Sequence, residues 1–432
     1  YQFPFKVGEG GGAPFVIMYI IFCFVLCLPA MVTEIAIGRK TQRNAAGAYA
    51  TLGFRKWTYV GKAGIFCGMV ILSYYIMICG WVLAYLLDYI SGDLDVTNGF
   101  TALVSDFPRV LIYSSVFMVI TAFIVSKGIH NGIERVSRLL MPLLLILIVG
   151  LIVYALTLPN ALSGLEFYLV PDFSKLTDLE VIQGALSQAF FSLSLGMGAL
   201  LTYGSYVPAD QNIVKSASIV VLADIGIAFL AGFMVFPFVF SQGIDPATGG
   251  SLLFETLPGI FATLGPVTGR LLAIVFFLLL ALAALTSTIS FLEVSVAYFV
   301  DEKKISRKRS AWSVAVFVMC LSIPSLLSFG GSDFFTNFVN YSGSDQSFMT
   351  LIGHVFSDSY LPLGGLLFSV FAAYVWKRQN LYDELAKGYP GFAGSIVQKY
   401  IDLAITVICP LILGIIFVLN VLHQFFGIIL IH

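Results

Sequence analysis

Residues 141–157 and 271–300 of this chain contain a single charged side chain between them, Glu293. A helix needs about 20 residues to cross a hydrocarbon core of about 30 Å. A transmembrane barrel is instead written in alternating segments of about 10 residues. Apolar runs this long exclude the barrel. Composition agrees: of 432 residues, 59% are hydrophobic and 11% charged, with a mean hydropathy of +0.94. A soluble domain carries about 25% charged residues because its surface meets water, so most of this surface has to face lipid. The sequence describes an all-α polytopic membrane protein.

Other classes find little support. A formal net charge of −1 gives no field for a nucleic acid. Cys23, Cys27, Cys67, Cys79, Cys320 and Cys409 lie dispersed in apolar segments and read as small hydrophobes. His130, His354, His423 and His432 form no ligand pair. No nucleophile–base constellation suggests an enzyme, and the loops are too short for a catalytic domain. The chain starts at Tyr1 without an initiator Met or a signal peptide and soon enters a glycine-rich stretch. Residues upstream are therefore expected to be missing.

The apolar pattern predicts helices over 13–38, 61–91, 108–126, 138–157, 179–207, 212–239, 268–300, 309–328, 346–376 and 396–424. A short piece over 3–9 comes first, as the end of a truncated segment, making eleven transmembrane segments. Nineteen of the 23 Lys and Arg fall in alternate connections, such as Arg39–Lys62, Lys303–Arg309 and Lys377–Lys399. Only Lys6, Arg109, Lys175 and Arg270 fall on the other side, with Asp88, Asp93, Asp95, Asp172, Asp178, Glu180 and Asp245. Cytoplasmic loops retain Lys and Arg. The chain is expected to be a multi-pass protein of the plasma (inner) membrane, in contact with lipid, with the missing N-terminus cytoplasmic and His432 outside.

The segment 179–207 carries Ser192, Ser194, Gly196 and Gly198 at mid-membrane depth. Glycine costs a helix about 1 kcal/mol against alanine, and unwound backbone at that depth is tolerated only where it lines a protein cavity. Freed carbonyls there can bind cations, and half-helix dipoles can face anionic groups. The same small residues would also suit close helix packing. Asp224 lies in the apolar run LADIGIAFLAGF. An ionised Asp there costs about 3 kcal/mol unless partnered, which points to an ion or proton site. Glu34 and Glu293 sit toward helix ends and read as structural. In AALTST (283–288), the Thr286 and Ser287 hydroxyls suit a hard cation, or else bond back to their own helix.

FPFKVGEGGGAPF, LPAMVTEIAIGRKTQRN, NGIERVSRLLMP, SQAFFSLSLGMGALLTYGSYV, AALTSTISFLEVSVAYFVDE and YLPLGGLL resemble, in order, successive segments of the neurotransmitter:sodium symporter family. The resemblance spans Phe3 to about residue 422. It implies a LeuT-like 5+5 inverted repeat with helices one and six broken, in a single transmembrane transporter domain over 1–432. Residues 1–157 would be the remainder of the first repeat, 179–376 the second, and 396–424 an additional helix.

The resemblance also assigns roles. Tyr75 would donate to a substrate carboxylate. The Phe191 and Ser192 carbonyls and the Ser194 hydroxyl would take its ammonium, with Phe191 and Tyr75 as an aromatic lid. Ile71, Met197 and Phe291 would line the side-chain pocket, with Ser287 also at the substrate. Ser192 and Asp224 would serve a first sodium site; the Ala283 carbonyl, Thr286 and Ser287 would serve a second. Sodium ions are the implied cation, and a small-molecule amino acid the implied partner.

Some positions depart from the family. The first half of helix one precedes Tyr1. Gln2 replaces the outer-gate Arg, and Gly353 stands where its Asp partner is expected. Pro14 is inserted after Gly10–Gly12. Chloride-dependent members carry Asn at the Asp224 position, and the chloride-binding Tyr is expected to be replaced by Lys40. The expected function is sodium-coupled symport of a neutral, apolar or aromatic amino acid by alternating access, without chloride. The alternative is a non-transporting sensor or accessory subunit, favoured by loss of both gate charges.

Overall fold

A computed structural model describes residues 2–92, 99–247 and 252–428. Tyr1, Asp93, Asp95 and His432 lie outside these. Chain order gives α1 (Gln2–Glu9), α2 (Ala13–Thr41), α3 (Arg55–Ser91), α4 (Phe107–Ser126), α5 (Ile129–Ala155), α6 (Leu179–Ser192), α7 (Ala199–Gly204), α8 (Ile213–Ser241) and α9 (Leu252–Thr263). After these come α10 (Thr268–Asp301), α11 (Arg307–Leu327), α12 (Phe348–Val375), α13 (Arg378–Ala386) and α14 (Ile396–Phe426). Among the described residues, nine of these helices are long and apolar enough to cross a membrane: α2 to α5, α8, α10 to α12 and α14. The pair α6 and α7 forms one interrupted segment.

Local chemistry sets several boundaries. Gly11 and Gly12 turn the chain between α1 and α2 with φ of 76° and 84°, and a Cβ on Gly12 would lie 2.2 Å from the Phe167 carbonyl. Pro14 then occupies the first turn of α2, where its missing N–H costs nothing. The inserted proline is thus a helix start. Asn44 caps the short helix Ala45–Thr51 by accepting from the amides of Ala46 and Gly47.

Helix α3 is the central post. Its most apolar stretch is 89% buried, against 22% for α5 and 28% for α8 and α14. The rim helices present Leu139, Ile146, Val149 and Val153 outward, as a lipid-facing surface requires. At the basic end, a buried ion pair ties two connections to the core. Arg39 Nε donates to Glu384 Oε1 at 2.8 Å and its Nη1 to the Gln211 carbonyl at 2.6 Å, fixing α13 under α2.

The structure differs from the sequence expectations in three respects. Helix α5 begins at Ile129, not 138, because the polar stretch Ile129–Glu134 continues it as a π-helical turn. A two-stranded antiparallel hairpin, Val339–Tyr341 with Ser344–Gln346, breaks the all-helical pattern at the end opposite the basic loops. Helices α9 and α13 lie in segments expected to be loops.

Candidate substrate and cation site

The interrupted segment is the centre of the site. Helix α6 ends at Ser192 and α7 begins at Ala199; between them Ser194, Gly196 and Gly198 adopt φ of 55°, 83° and 75°. Such left-handed backbone is routine only for glycine. The Phe191 carbonyl accepts the Ser194 amide at 3.1 Å. Outside the helical ladder, the Gly196 amide donates to Glu34 Oε1 of α2 at 2.9 Å. Glu34, expected to be only structural, thus holds the unwound turn in place. Gly196 also packs backbone to backbone on α12, where a Cβ would lie 2.2 Å from the Leu361 carbonyl.

Asp224 of α8 faces this turn. Ser192 Oγ donates to Asp224 Oδ1 at 2.6 Å, and the Tyr19 hydroxyl of α2 donates to Oδ2 at 2.5 Å. The carboxylate is therefore the meeting point of α2, α6 and α8, which agrees with the pairing of Ser192 and Asp224. It corrects the expectation about Lys40. The tyrosine hydroxyl beside the carboxylate comes from Tyr19, while Lys40 is exposed at the far end of α2, about 30 Å along the helix.

On α10, Thr286 Oγ1 and Ser287 Oγ both donate to the Ala283 carbonyl, at 2.8 and 3.3 Å. This is the back-bonding anticipated from sequence, and it also gathers three oxygens in one place. Neutral hydroxyl and carbonyl oxygens here, and a carboxylate with a hydroxyl at Asp224, are the donor sets a hard cation takes.

Tyr75 of α3 and Ala283 line the same small chamber with Phe254 and Leu280. The Tyr75 ring lies 6.1 Å from that of Phe291. Met197 is fully buried and reaches α3, its Sδ 3.8 Å from where a Gly68 Cβ would stand, one turn below Ile71. Tyr75, Phe291 and Ala283 therefore meet between α3 and α10, while Met197 packs on α3 one turn from Ile71. Phe191 instead lines the vestibule above them.

That vestibule is a cavity of about 370 Å³ bordered by Gln2, Lys6, Gln188, Phe191, His354 and Asp358, among others. Asp358 accepts from Gln424 Nε2 at its Oδ2 (3.1 Å) and from Asn420 Nδ2 at its carbonyl (2.9 Å), joining α12 to α14. The Tyr341 hydroxyl and His354 Nδ1 are hydrogen-bonded at 2.9 Å, which pins the hairpin over the cavity. The expectation that Gly353 stands at the place of the gate's Asp partner is corrected, since the carboxylate bordering the vestibule is Asp358. Gly353–Tyr360 is π-helical, so its wider turns alter which residues face inward.

The sequence reading assigned no role to Tyr19, Gln188 or Asp358, and it took Glu34 as structural without naming its partner, the Gly196 amide. Gln188 had a signal, lying four residues before Ser192 on the same helical face, and Tyr19 was a polar tip inside an apolar run.

Comparison with known proteins fits this arrangement. The chain matches the sodium:neurotransmitter symporter family over residues 1–106 and 104–426. An uncharacterized sodium-dependent transporter of Bacillus subtilis (strain 168), YhdH, is 37% identical over 398 residues, covering 90% of this chain and 86% of the relative. An uncharacterized sodium-dependent transporter of Haemophilus influenzae is 33% identical over 446 residues, covering 97% and 93%. The crystal structure of MhsT in complex with L-phenylalanine matches with a TM-score of 0.88 at 38% identity, over 97% of this chain and 94% of that one. The chain therefore belongs to the sodium:neurotransmitter symporter family: it is a multi-pass membrane transporter of LeuT-like fold and not an enzyme.

Proposed function

We propose that the protein couples sodium entry to uptake of a neutral, apolar or aromatic amino acid, without chloride. The observation that carries this is the carboxylate of Asp224 set against the interrupted helix and bonded by Tyr19 and Ser192. A carboxylate beside unwound backbone suits a cation and can supply the negative charge that an anion would otherwise bring. Ser192 and Asp224 would hold one sodium ion; the Ala283 carbonyl, Thr286 and Ser287 would hold another. Tyr75 would take the substrate carboxylate, while Phe191, Ser192 and Ser194 would take its ammonium. Ile71, Met197 and Phe291 bring no charge, and a flexible Met adapts to bulk. MhsT, with L-phenylalanine bound, supports an apolar or aromatic side chain here.

In this reading transport proceeds by alternating access, and bound sodium stabilises the outward-facing, substrate-loaded state. The non-transporting alternative rested on loss of the outer-gate charges; a vestibule carboxylate at Asp358 removes half of that support. The test is uptake of labelled Phe, Leu and Trp into proteoliposomes holding the full-length protein, with and without a sodium gradient. Sodium-dependent accumulation, competed by apolar residues and not by Glu, Asp or Lys, is expected. Sodium-independent uptake, or stronger competition by the charged residues, contradicts the proposal.

A further inference from the structure

Away from the transport site, a groove of about 350 Å³ runs along the outer flank between α3, α10 and α11, lined by Phe66, Met69, Phe299, Val314 and Phe317, with Ser313 and Ile305 at its edge. Phe66 and Phe317 are 45% and 47% exposed, so the groove opens toward lipid. An acyl chain will fill it, but filling alone gives no preference, because lipid tails are as apolar as this lining. Selectivity has to come from the mouth.

The mouth is basic. Ile305 lies in the turn between α10 and α11, with Lys303, Lys304, Lys308 and Arg309 exposed around it. Among the described residues, none of these four makes an ion pair. Arg307 alone is engaged, by the Glu293 carboxylate and by the Val125 carbonyl at 3.0 Å. The nearby carboxylates Asp301 and Glu302 accept from Asn44 Nδ2 at 3.2 and 3.1 Å and pair with none of these cations. Across the groove, exposed Lys62 stands one turn before Phe66 on α3, with Nζ 5.4 Å from the Tyr59 ring centroid. Arg309 stands one turn before Ser313 on α11. Two helices thus each present a cation without an ion pair just beyond an apolar slot that runs about 10 Å along α11, from Ser310 to Phe317.

We propose that this groove and its basic rim form a selective site for an anionic phospholipid. One acyl chain lies along Met69, Val314 and Phe317, and the phosphate meets Lys62 and Arg309. Basic pockets between transmembrane helices take anionic head groups in this way.

Native mass spectrometry of the delipidated full-length protein tests it, with palmitoyl-oleoyl phosphatidylglycerol, the matching phosphatidylcholine, and free glycerol phosphate as probes. Phosphatidylglycerol should bind at least tenfold more tightly than phosphatidylcholine. Ser313→Trp, which fills the slot from an exposed position, should remove that bound lipid. The double variant Lys62→Ala/Arg309→Ala should bring the two lipids within about twofold. Ile146→Trp, on the lipid face of α5, should change neither. Equal binding of the two lipids by the wild type, retention of phosphatidylglycerol by Ser313→Trp, or displacement by free glycerol phosphate at the same concentration would each overturn the proposal. The last outcome would mean a phosphate site rather than a lipid site.

Discussion

At the scale of single residues, two oxygen clusters separate function from packing. Thr286 and Ser287 both bond back to the Ala283 carbonyl, so removing both hydroxyls leaves a helix with its backbone ladder intact. Such back-bonding does not stabilise a helix. Thr286→Ala/Ser287→Ala should therefore leave the melting temperature nearly unchanged while raising the sodium concentration for half-maximal uptake at least tenfold. Unchanged sodium activation would reduce this cluster to local hydrogen bonding. Asp224 gives the complementary case. Tyr19 and Ser192 already spend their hydroxyl protons on its carboxylate, leaving those donors no role toward chloride. Wild-type uptake should be the same when gluconate replaces chloride. Asp224→Asn removes the fixed charge, and its uptake should fall at least tenfold in gluconate and recover in part with chloride. Wild-type uptake that collapses in gluconate would refute chloride independence.

At the scale of elements, the break between α6 and α7 depends on backbone contact. Gly196 combines a φ of 83° with a Cβ position 2.2 Å from the Leu361 carbonyl, and Gly364 returns the contact from α12 at 2.0 Å from the Gly196 carbonyl. Left-handed backbone costs a non-glycine residue about 1–2 kcal/mol, and the clash adds to that, since neither backbone is a flexible side chain. Gly196→Ala should destabilise by more than about 2 kcal/mol. Gly150→Ala, in α5 with open space around it, should be neutral or stabilise by up to about 1 kcal/mol. Equal melting temperatures for the two variants would show that the unwound turn can shift. The sequence located this segment, because serines and glycines at 192–198 weaken a helix, but they suited close helix packing equally well, and the break itself was an implication of the family resemblance. The helices were legible because a long apolar run has one structural solution in lipid. The hairpin at 339–346 was not, since its three-residue strands carry no alternation long enough to register. Nor was the Asp358 vestibule contact, because π-helical turns undo the spacing by which facing residues are counted. The start of α5 was missed for a related reason: polar Ile129–Glu134 sits past the apolar run, and hydropathy ends where lipid ends, not where the helix does. Tyr19 and Glu34 needed the third dimension, since their partners lie 205 and 162 residues away in sequence.

At the scale of the whole molecule, the distribution of charge predicts which end faces the cytoplasm. The basic connections converge on one end, where Arg39, Glu384 and Gln211 interlock and where Lys303, Lys304, Lys308 and Arg309 are exposed. The hairpin and the vestibule occupy the other end, near Lys6, Lys175 and Asp172. Moving the basic set across a membrane means desolvating many cations, so the basic end is expected on the cytoplasmic side. Cysteine labelling reads the outcome directly. Of the six native cysteines, Cys320 is exposed and the other five are buried, so Cys320→Ser gives a quiet background. In that background Lys304→Cys and Lys377→Cys should react with a membrane-impermeant maleimide only after the cells are opened. Lys175→Cys and Ser344→Cys should react in intact cells. All four substitutions lie outside the membrane-spanning helices, in connections or in the hairpin, with Lys175 in a short 3-10 turn, so lost labelling cannot be blamed on a broken span. The reverse pattern would invert the molecule, place the vestibule on the cytoplasmic side, and turn the proposed uptake into export. A mixed pattern, with both ends labelled in intact cells, would mean that the charge asymmetry does not set the orientation of this chain.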